Sequence, residues 1–176
     1  SLSLSLSPPP PTPTSSQVTR ATQLAHAQGL ENVTFRVMDA LALEFEEDSF
    51  DLVWACESGE HMSDKRRYVQ QMTRVLKPGG TLVIATWCQR EAAGEGGADA
   101  DAAAAGVAPP PPLSSSERER LQFLYDEWAH PYFVSVEEYG RMLSETGDMR
   151  EIAVADWTRP TIDTWRHSNW VGVFDP

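Results

Sequence analysis

The sequence has no long apolar run, few cysteines and few basic residues. A membrane-spanning helix needs about 20 consecutive apolar residues, so we expect no transmembrane segment. Two cysteines, Cys56 and Cys88, exclude a disulfide scaffold and fit a reducing intracellular compartment. Lys and Arg number 14 against 26 Asp and Glu, giving a formal net charge of −12. This balance argues against nucleic-acid binding, because phosphate contacts need clustered cations.

Two segments have the composition of disordered chain. Residues 1–16 alternate Ser and Leu before becoming Pro-rich, and residues 91–115 are mostly Ala, Gly, Asp and Pro. Such segments bury too little apolar surface to offset the entropy of ordering. The start also lacks the basic residues and continuous apolar run of a secretory signal. We expect a disordered leader at 1–16, a domain core at 17–90, a disordered insertion at 91–115, and further helices and a last strand of the same domain at 117–176.

Apolar periodicity in the first half predicts strands separated by helices. The predicted strands are 33–37, 50–55 and 81–87. One helix, 17–28, ends at Gly29, and a second, 63–76, starts at a Ser63 cap and stops at Lys77-Pro78-Gly79-Gly80. Strands joined through helices rather than tight turns predict an α/β fold with a mostly parallel sheet. The second helix should bury Tyr68, Met72, Val75 and Leu76, and its basic run Lys65-Arg66-Arg67 should face solvent.

The second half predicts two helices, a fourth strand and a short helical turn. Ser116 with Glu119 reads as a capping box for a helix to Trp128. Ser135 with Glu138 starts another helix, which ends at Gly147. A strand follows at 149–157, and a helical turn at about 162–170.

Polar residues follow each of the first three predicted strands. They are Asp39-Ala40, the Cys56–Met62 loop and Trp87-Cys88. In a parallel α/β sheet, ligands bind at the carboxyl ends of the strands. Asp39 is therefore a candidate for accepting a hydrogen bond from the exocyclic amine of an adenine. Its alternative is a turn aspartate that bonds its own backbone.

The loop after the second strand has structural alternatives as well. Glu57 and Glu60 fit helix N-terminal acids, which the helix dipole favours. His61 fits a helix-entry residue bonded to a backbone carbonyl. Trp54 and Trp87 fit core or pocket wall. No metal site is expected, because Cys56 and Cys88 have no third or fourth ligand beside them.

The order of these motifs resembles a known family. D-A-L, F-D-L-V-W, R-V-L-K-P-G-G and T-L-V-I-A-T-W resemble the later half of class I S-adenosylmethionine-dependent methyltransferases. The ESGEHM loop followed by TWC is more selective and resembles the γ-tocopherol methyltransferases of plants and algae, relatives of the sterol C-methyltransferases. The likeness is good over 17–90 and looser over 117–157.

The resemblance implies a cofactor, S-adenosyl-L-methionine, and roles for individual residues. Asp39 and Ala40 match the motif that contacts the adenine. Cys56 and Glu57 match the segment along the methionine end of the cofactor. Glu57, Glu60 and His61 match the side facing the methyl acceptor, so all three are catalytic candidates. Ring C-methylation needs an electron-rich phenol, whose proton a histidine or carboxylate of near-neutral pKa can accept.

The sequence departs from the family before its first predicted strand. The family has an earlier strand and a G-x-G-x-G-type turn there, whereas Gly29 is the first glycine of this chain. That turn supplies amide donors to the cofactor. We therefore expect an incomplete Rossmann-like sheet, N-terminally truncated, and a chain that is inactive alone.

Function and location follow from the resemblance. The leading hypothesis is a C-methyltransferase acting on a prenylated phenol such as a tocopherol, or on a related lipid. The alternatives are a degenerate methyltransferase half that acts as a binding module, and a non-functional fragment. A dehydrogenase lacks support, because no dinucleotide fingerprint is present. The expected partner is a small lipophilic substrate, with peripheral membrane contact, and the expected location is the plastid.

Overall fold

The structure, a computed structural model, describes residues 14–90, 113–128 and 130–164. Residues 158–164 are helical. The predicted leader up to residue 13, the predicted insertion from 91 to 112 and the tail after 164 lie outside the described residues. None of the helices in the described part is long and apolar enough to cross a bilayer. The other elements are α1 (Thr14–Ala27), β1 (Phe50–Cys56), a 3-10 turn (Gly59–His61), α2 (Lys65–Arg74), β2 (Leu76–Ala85), α3 (Ser115–Trp128) and α4 (Val136–Glu145).

The predicted parallel pairing is confirmed for β1 and β2. Leu52 pairs with Thr81, and the register continues to Cys56 opposite Ala85. At the other end Phe50 pairs with Leu76, so residues 77–80 form a bulge in the ladder. The Lys-Pro-Gly-Gly segment therefore lies within β2 and does not precede it. The strand also ends at Ala85, two residues before its predicted end.

The core forms where α2 and α4 pack beside this sheet. The predicted burial of Tyr68, Met72, Val75 and Leu76 is confirmed, although α2 ends at Arg74, so that Val75 caps the helix and Leu76 begins β2. Burying such side chains stabilises a fold by about 1.5–3 kcal/mol each. From elsewhere in the chain the core gathers Met38, Ala40, Leu43, Ala55, Met62, Tyr139 and Met142.

Two predicted strands are wrong. Residues 33–37 hold only isolated bridge positions, at Thr34 and Val37, and residues 151–157 have no regular structure. A strand needs backbone partners, and the sheet of the described residues consists of β1 and β2 alone. The apolar residues that would have faced inward stay outside: Val37 is 58% exposed and Trp157 is 58% exposed.

Helix starts differ from the sequence expectation in three places. α1 begins at Thr14 and not at residue 17, although Gly29 (φ +70°) follows its end as predicted. Asp64, and not Ser63, caps α2, accepting from the Arg67 amide at 2.8 Å. Ser114 and Glu117 form the capping box of α3 in place of Ser116 and Glu119.

The α3 shift has a physical reason. The same S-x-x-E spacing occurs at both positions, and Arg90 pairs with Glu117 at 2.5 Å, which favours the earlier pair. The Ser135 cap of α4 is confirmed, with Ser135 Oγ accepting from the Glu138 amide at 3.0 Å.

Lys65 corrects the expectation that the basic run is solvent-facing. It is 1% exposed, and its Nζ donates to the carbonyls of Glu60 at 3.0 Å and Met62 at 2.6 Å. The ammonium also lies 4.8 Å from the centre of the Tyr132 ring, a cation–π contact. Side chains at a helix start point back toward the preceding turn. Lys65 therefore ties the loop after β1 to the first residue of α2.

We expect Gly80→Ala to destabilise the fold by about 1–3 kcal/mol, as overpacking does. A Cβ there would lie 2.8 Å from Leu76 Cδ1, 2.9 Å from the Lys77 carbonyl and 3.0 Å from the Asp51 carbonyl. Urea unfolding measures the change. The control is Gly140→Ala in α4, where the new Cβ meets only Val154 Cγ1 at 3.2 Å. Equal midpoints for the two variants would contradict the expectation.

We expect Lys65→Met to change how stability varies with pH. Burial lowers the pKa of Lys65 from 10.5 to about 8, against the attraction of Glu60. Between these two values the unfolded chain holds the proton and the folded chain does not, so the Lys65 contribution to the free energy of unfolding rises with pH. Below pH 8 that gain is absent.

The measurement is urea unfolding at several pH values between 8 and 10.5. Wild type should gain stability relative to Lys65→Met as the pH rises. The matched control is Lys77→Met, which removes a partly exposed ammonium paired with Asp51 at 2.9 Å. Parallel curves for wild type and Lys65→Met would contradict the assigned burial.

Candidate functional site

Glu57 leaves the end of β1 in a conformation that is uncommon outside glycine. Its φ is +50°, in the left-handed region. Its amide donates to the Ala85 carbonyl at 2.8 Å, which extends the β1–β2 ladder by one bond. Its carboxylate accepts from the Trp87 indole Nε1 at 2.7 Å. Such strained residues persist only where the surroundings hold them, and they cluster at functional sites.

Glu60 points into the protein. It is 2% exposed, and its Oε2 accepts from the Thr86 hydroxyl at 2.5 Å. The carboxylate therefore links the 3-10 turn to the residue after β2. This contact suits a residue that holds the loop, while the predicted catalytic role of Glu60 stays a prediction.

Buried hydroxyl groups lie behind this loop. Ser58 and Tyr68 share a hydrogen bond of 2.9 Å, and burial raises the pKa of Tyr68 to about 12. The Tyr139 hydroxyl is buried, and burial raises its pKa against the opposing effect of the Thr86 side chain. Gly59 makes room for it, because a Cβ at 59 would lie 2.8 Å from that hydroxyl.

His61 is exposed at the rim, the edge of the sheet where β1 and β2 end. Its ring stacks on His130, a residue that no sequence pattern had indicated. The ring centroids of His61 and His130 are 4.7 Å apart, with an interplanar angle of 22°. Trp87 lies 5.7 Å and Phe133 5.2 Å from His130. We call His61, Trp87, His130 and Phe133 the aromatic cluster. His130 follows α3 and lies 69 positions after His61 (130 − 61), so no local spacing pointed to it.

Asp39 hydrogen-bonds within its own turn. Its Oδ1 accepts from the Leu41 amide at 2.8 Å, which is the turn geometry given above as its alternative. Within the described residues no hydrogen bond or ion pair joins it to Glu57, Glu60 or His61. Ala40 is 2% exposed and packs in the same core as Ala55 and Met62. The assignment of both to the adenine stays a prediction.

Cys56 ends β1 and is exposed, as is Cys88, and both are free thiols. In the part of the chain that the structure describes, no group of three or more His, Cys, Asp or Glu side chains is arranged to hold a metal ion. The structure thus brings Glu57, Glu60 and His61 into one loop, with Thr86 and Trp87 supporting it from beyond β2.

Comparison with known proteins finds similar sequences for most of this chain. The methyltransferase domain family matches residues 12–84. The chain is 37% identical over 161 residues to a 2-methyl-6-phytyl-1,4-hydroquinone methyltransferase of Synechocystis, covering 91% of this chain and 45% of the relative. It is 36% identical to a chloroplastic tocopherol O-methyltransferase of Arabidopsis thaliana, covering 85% of this chain and 39% of the relative. The chain thus spans less than half the length of these curated relatives.

The solved structures agree on the fold. A phosphoethanolamine N-methyltransferase of Haemonchus contortus, in complex with S-adenosyl-L-methionine, superposes with a TM-score of 0.64. The match has 22% identity and covers 88% of this chain and 31% of that one. The predicted α/β, Rossmann-like fold class and the resemblance are both confirmed. Residues 12–84 of the chain thus match a methyltransferase domain, in a fold shared with S-adenosylmethionine-binding methyltransferases.

Proposed function

We propose that this chain carries the acceptor side of an S-adenosylmethionine-dependent C-methyltransferase that acts on a prenylated phenol. The observation that carries the proposal is that Glu57 and His61 share the loop after β1, where Glu57 accepts a hydrogen bond from Trp87 and His61 stacks on His130. The names of the Synechocystis and Arabidopsis relatives support the substrate class.

Two exposed carboxylates fit the cofactor's chemistry. Glu57 and Asp39 are exposed carboxylates, and such oxygens accept hydrogen bonds from the amine and hydroxyl groups that the cofactor carries. S-adenosylmethionine, when bound, supplies the electrophilic methyl group. Cys56 precedes Glu57, and its backbone is proposed to lie along the methionine end of the cofactor.

The chain's own contribution is to hold the phenol and take its proton. His61 is exposed at the rim, and a neutral imidazole nitrogen can accept the proton of the acceptor's hydroxyl. The ring carbon that gains the methyl group then becomes richer in electrons. Glu57, whose carboxylate accepts a hydrogen bond from Trp87, is proposed as a second acceptor group in the same loop as His61. Glu60 keeps this loop in place through its bond with Thr86.

A cleft near the aromatic cluster suits a lipophilic substituent. It has a volume of about 250 Å³ and is lined by Gln89, Arg90, Leu113, Glu117, Arg120, Leu121 and Leu124. Tyr125 connects it to the cluster, because its hydroxyl donates to Gln89 Oε1 at 3.2 Å and its ring lies 5.2 Å from Phe133. Peripheral membrane contact for loading such a lipid, and a plastid location like that named for the Arabidopsis relative, belong to this proposal.

A second candidate function is an accessory module that pairs with another protein. The outer face of β1 exposes Leu52 at 56% and Trp54 at 60%, and exposed apolar patches can mark sites for protein partners. Sedimentation of the purified chain and recovery of a defined partner from its source would favour this function over the enzyme.

We expect the 176-residue chain alone to bind S-adenosylmethionine more weakly than micromolar. Its first glycine is Gly29, so it offers no glycine-rich turn ahead of the first predicted strand to donate amides to the cofactor. Calorimetric titration of the purified chain measures this. Micromolar affinity would contradict the expectation and make the chain a complete cofactor site.

We expect a chimera to recover methyl transfer. In the Synechocystis relative, the aligned segment is replaced by residues 17–164 of this chain, and transfer to γ-tocopherol is compared with transfer to a sterol. Within the chimera, His61→Gln should lower the rate by on the order of 10²–10⁴, the usual contribution of a positioned base. His26→Gln on α1, at an exposed histidine, should leave the rate unchanged. Transfer to the sterol alone would overturn the substrate class.

A further inference from the structure

His130 occupies an unusual place for a histidine. It lies in the segment between α3 and α4 and is 6% exposed, whereas its stacking partner His61 is exposed. Stacking at 4.7 Å with an angle of 22° places the two rings nearly face to face. The buried His130 ring therefore packs against the exposed His61 ring, the proposed proton acceptor.

Several contacts hold the His130 ring in place. Trp87 packs against His130 at 5.7 Å and Phe133 at 5.2 Å. The Phe133 amide donates to the Tyr125 hydroxyl at 3.2 Å, and the Gln89 amide donates to the Val134 carbonyl at 3.1 Å. These bonds join the segment to the residues that follow β2. The position of His130 is thus fixed by contacts with residues that follow β2 as well as by its stacking on His61.

Packing rather than hydrogen bonding fixes the His130 ring. Its Nδ1 is buried and has no hydrogen-bond partner within the described residues. A buried polar atom without a partner is costly and is rare in native proteins. The chain keeps a histidine here, where a phenylalanine would fill the same flat space without that cost.

Charge gives a reason for the imidazole. Burial lowers the pKa of His130, and the neighbouring His61 and Lys65 lower it further, against Glu60. These influences favour the uncharged form of the ring. A neutral ring under His61 leaves His61 able to accept a proton, while two imidazolium rings this close would repel each other.

We propose that His130 is the positioning residue for His61, holding its ring by stacking and opposing a second positive charge in the pair. The inference depends on the proposed function only for the role given to His61. A structural role alone would not require a flat ring at 130, nor a titration of His130 that responds to residue 61.

The test is histidine ring NMR on the purified, isotope-labelled chain. In His130→Ala the ring-current shift of the His61 ring protons should be lost, and in His130→Phe it should be retained. In His61→Phe the titration midpoint of His130 should rise, because the neighbouring charge is removed. His26→Phe, at an exposed histidine of α1, is the matched control and should change neither signal.

Two results would overturn the proposal. One is a His61 shift that is the same in His130→Ala as in wild type. The other is a His130 midpoint that His61→Phe leaves unchanged, and this arm decides alone if His130→Ala does not fold. Because these readouts follow ring geometry and not methyl transfer, the proposal can fail while the chimera is active, and it can hold while the chimera is inactive.

Discussion

The pairing of β1 with β2 in one direction is the constraint on which the site depends. Because both strands run the same way, the chain after Cys56 and the chain after Ala85 emerge at one edge. The bond from the Glu57 amide to the Ala85 carbonyl carries this pairing one residue further. Antiparallel pairing would have sent Trp87 and Thr86 to the far end, away from the loop that they support.

Interior polar groups then give the loop its shape. Lys65 holds two of its carbonyls from inside, and Thr86 holds the Glu60 carboxylate. Each contact costs desolvation, which hydrogen bonds offset only in part. The result is a loop fixed by directional contacts, so that Glu57 and His61 are held at the surface by groups that are buried or partly buried.

The sequence predicted the elements whose signals are local. The stripe of α2, the Ser135 cap of α4 and the glycine after α1 follow from spacing within a few residues, and each is confirmed. The strands at 33–37 and 149–157 could not be decided this way, since an apolar run becomes a strand only beside a partner. Within the site, motif order identified the Glu57–His61 loop. His130 was not predicted because its role comes from contacts between distant segments. Lys65 was not predicted to be buried because its side chain folds back over the start of its own helix.

The outer face of β1 has a consequence for the behaviour of the chain in solution. Leu52 and Trp54 stand exposed on a strand that, within the described residues, pairs along one edge only, and such edges recruit further strands. The net charge of −12 opposes that association by mutual repulsion between copies. Ions shorten the range of this repulsion to about 8 Å at physiological strength, so the salt content of the medium governs how long the chain remains dispersed.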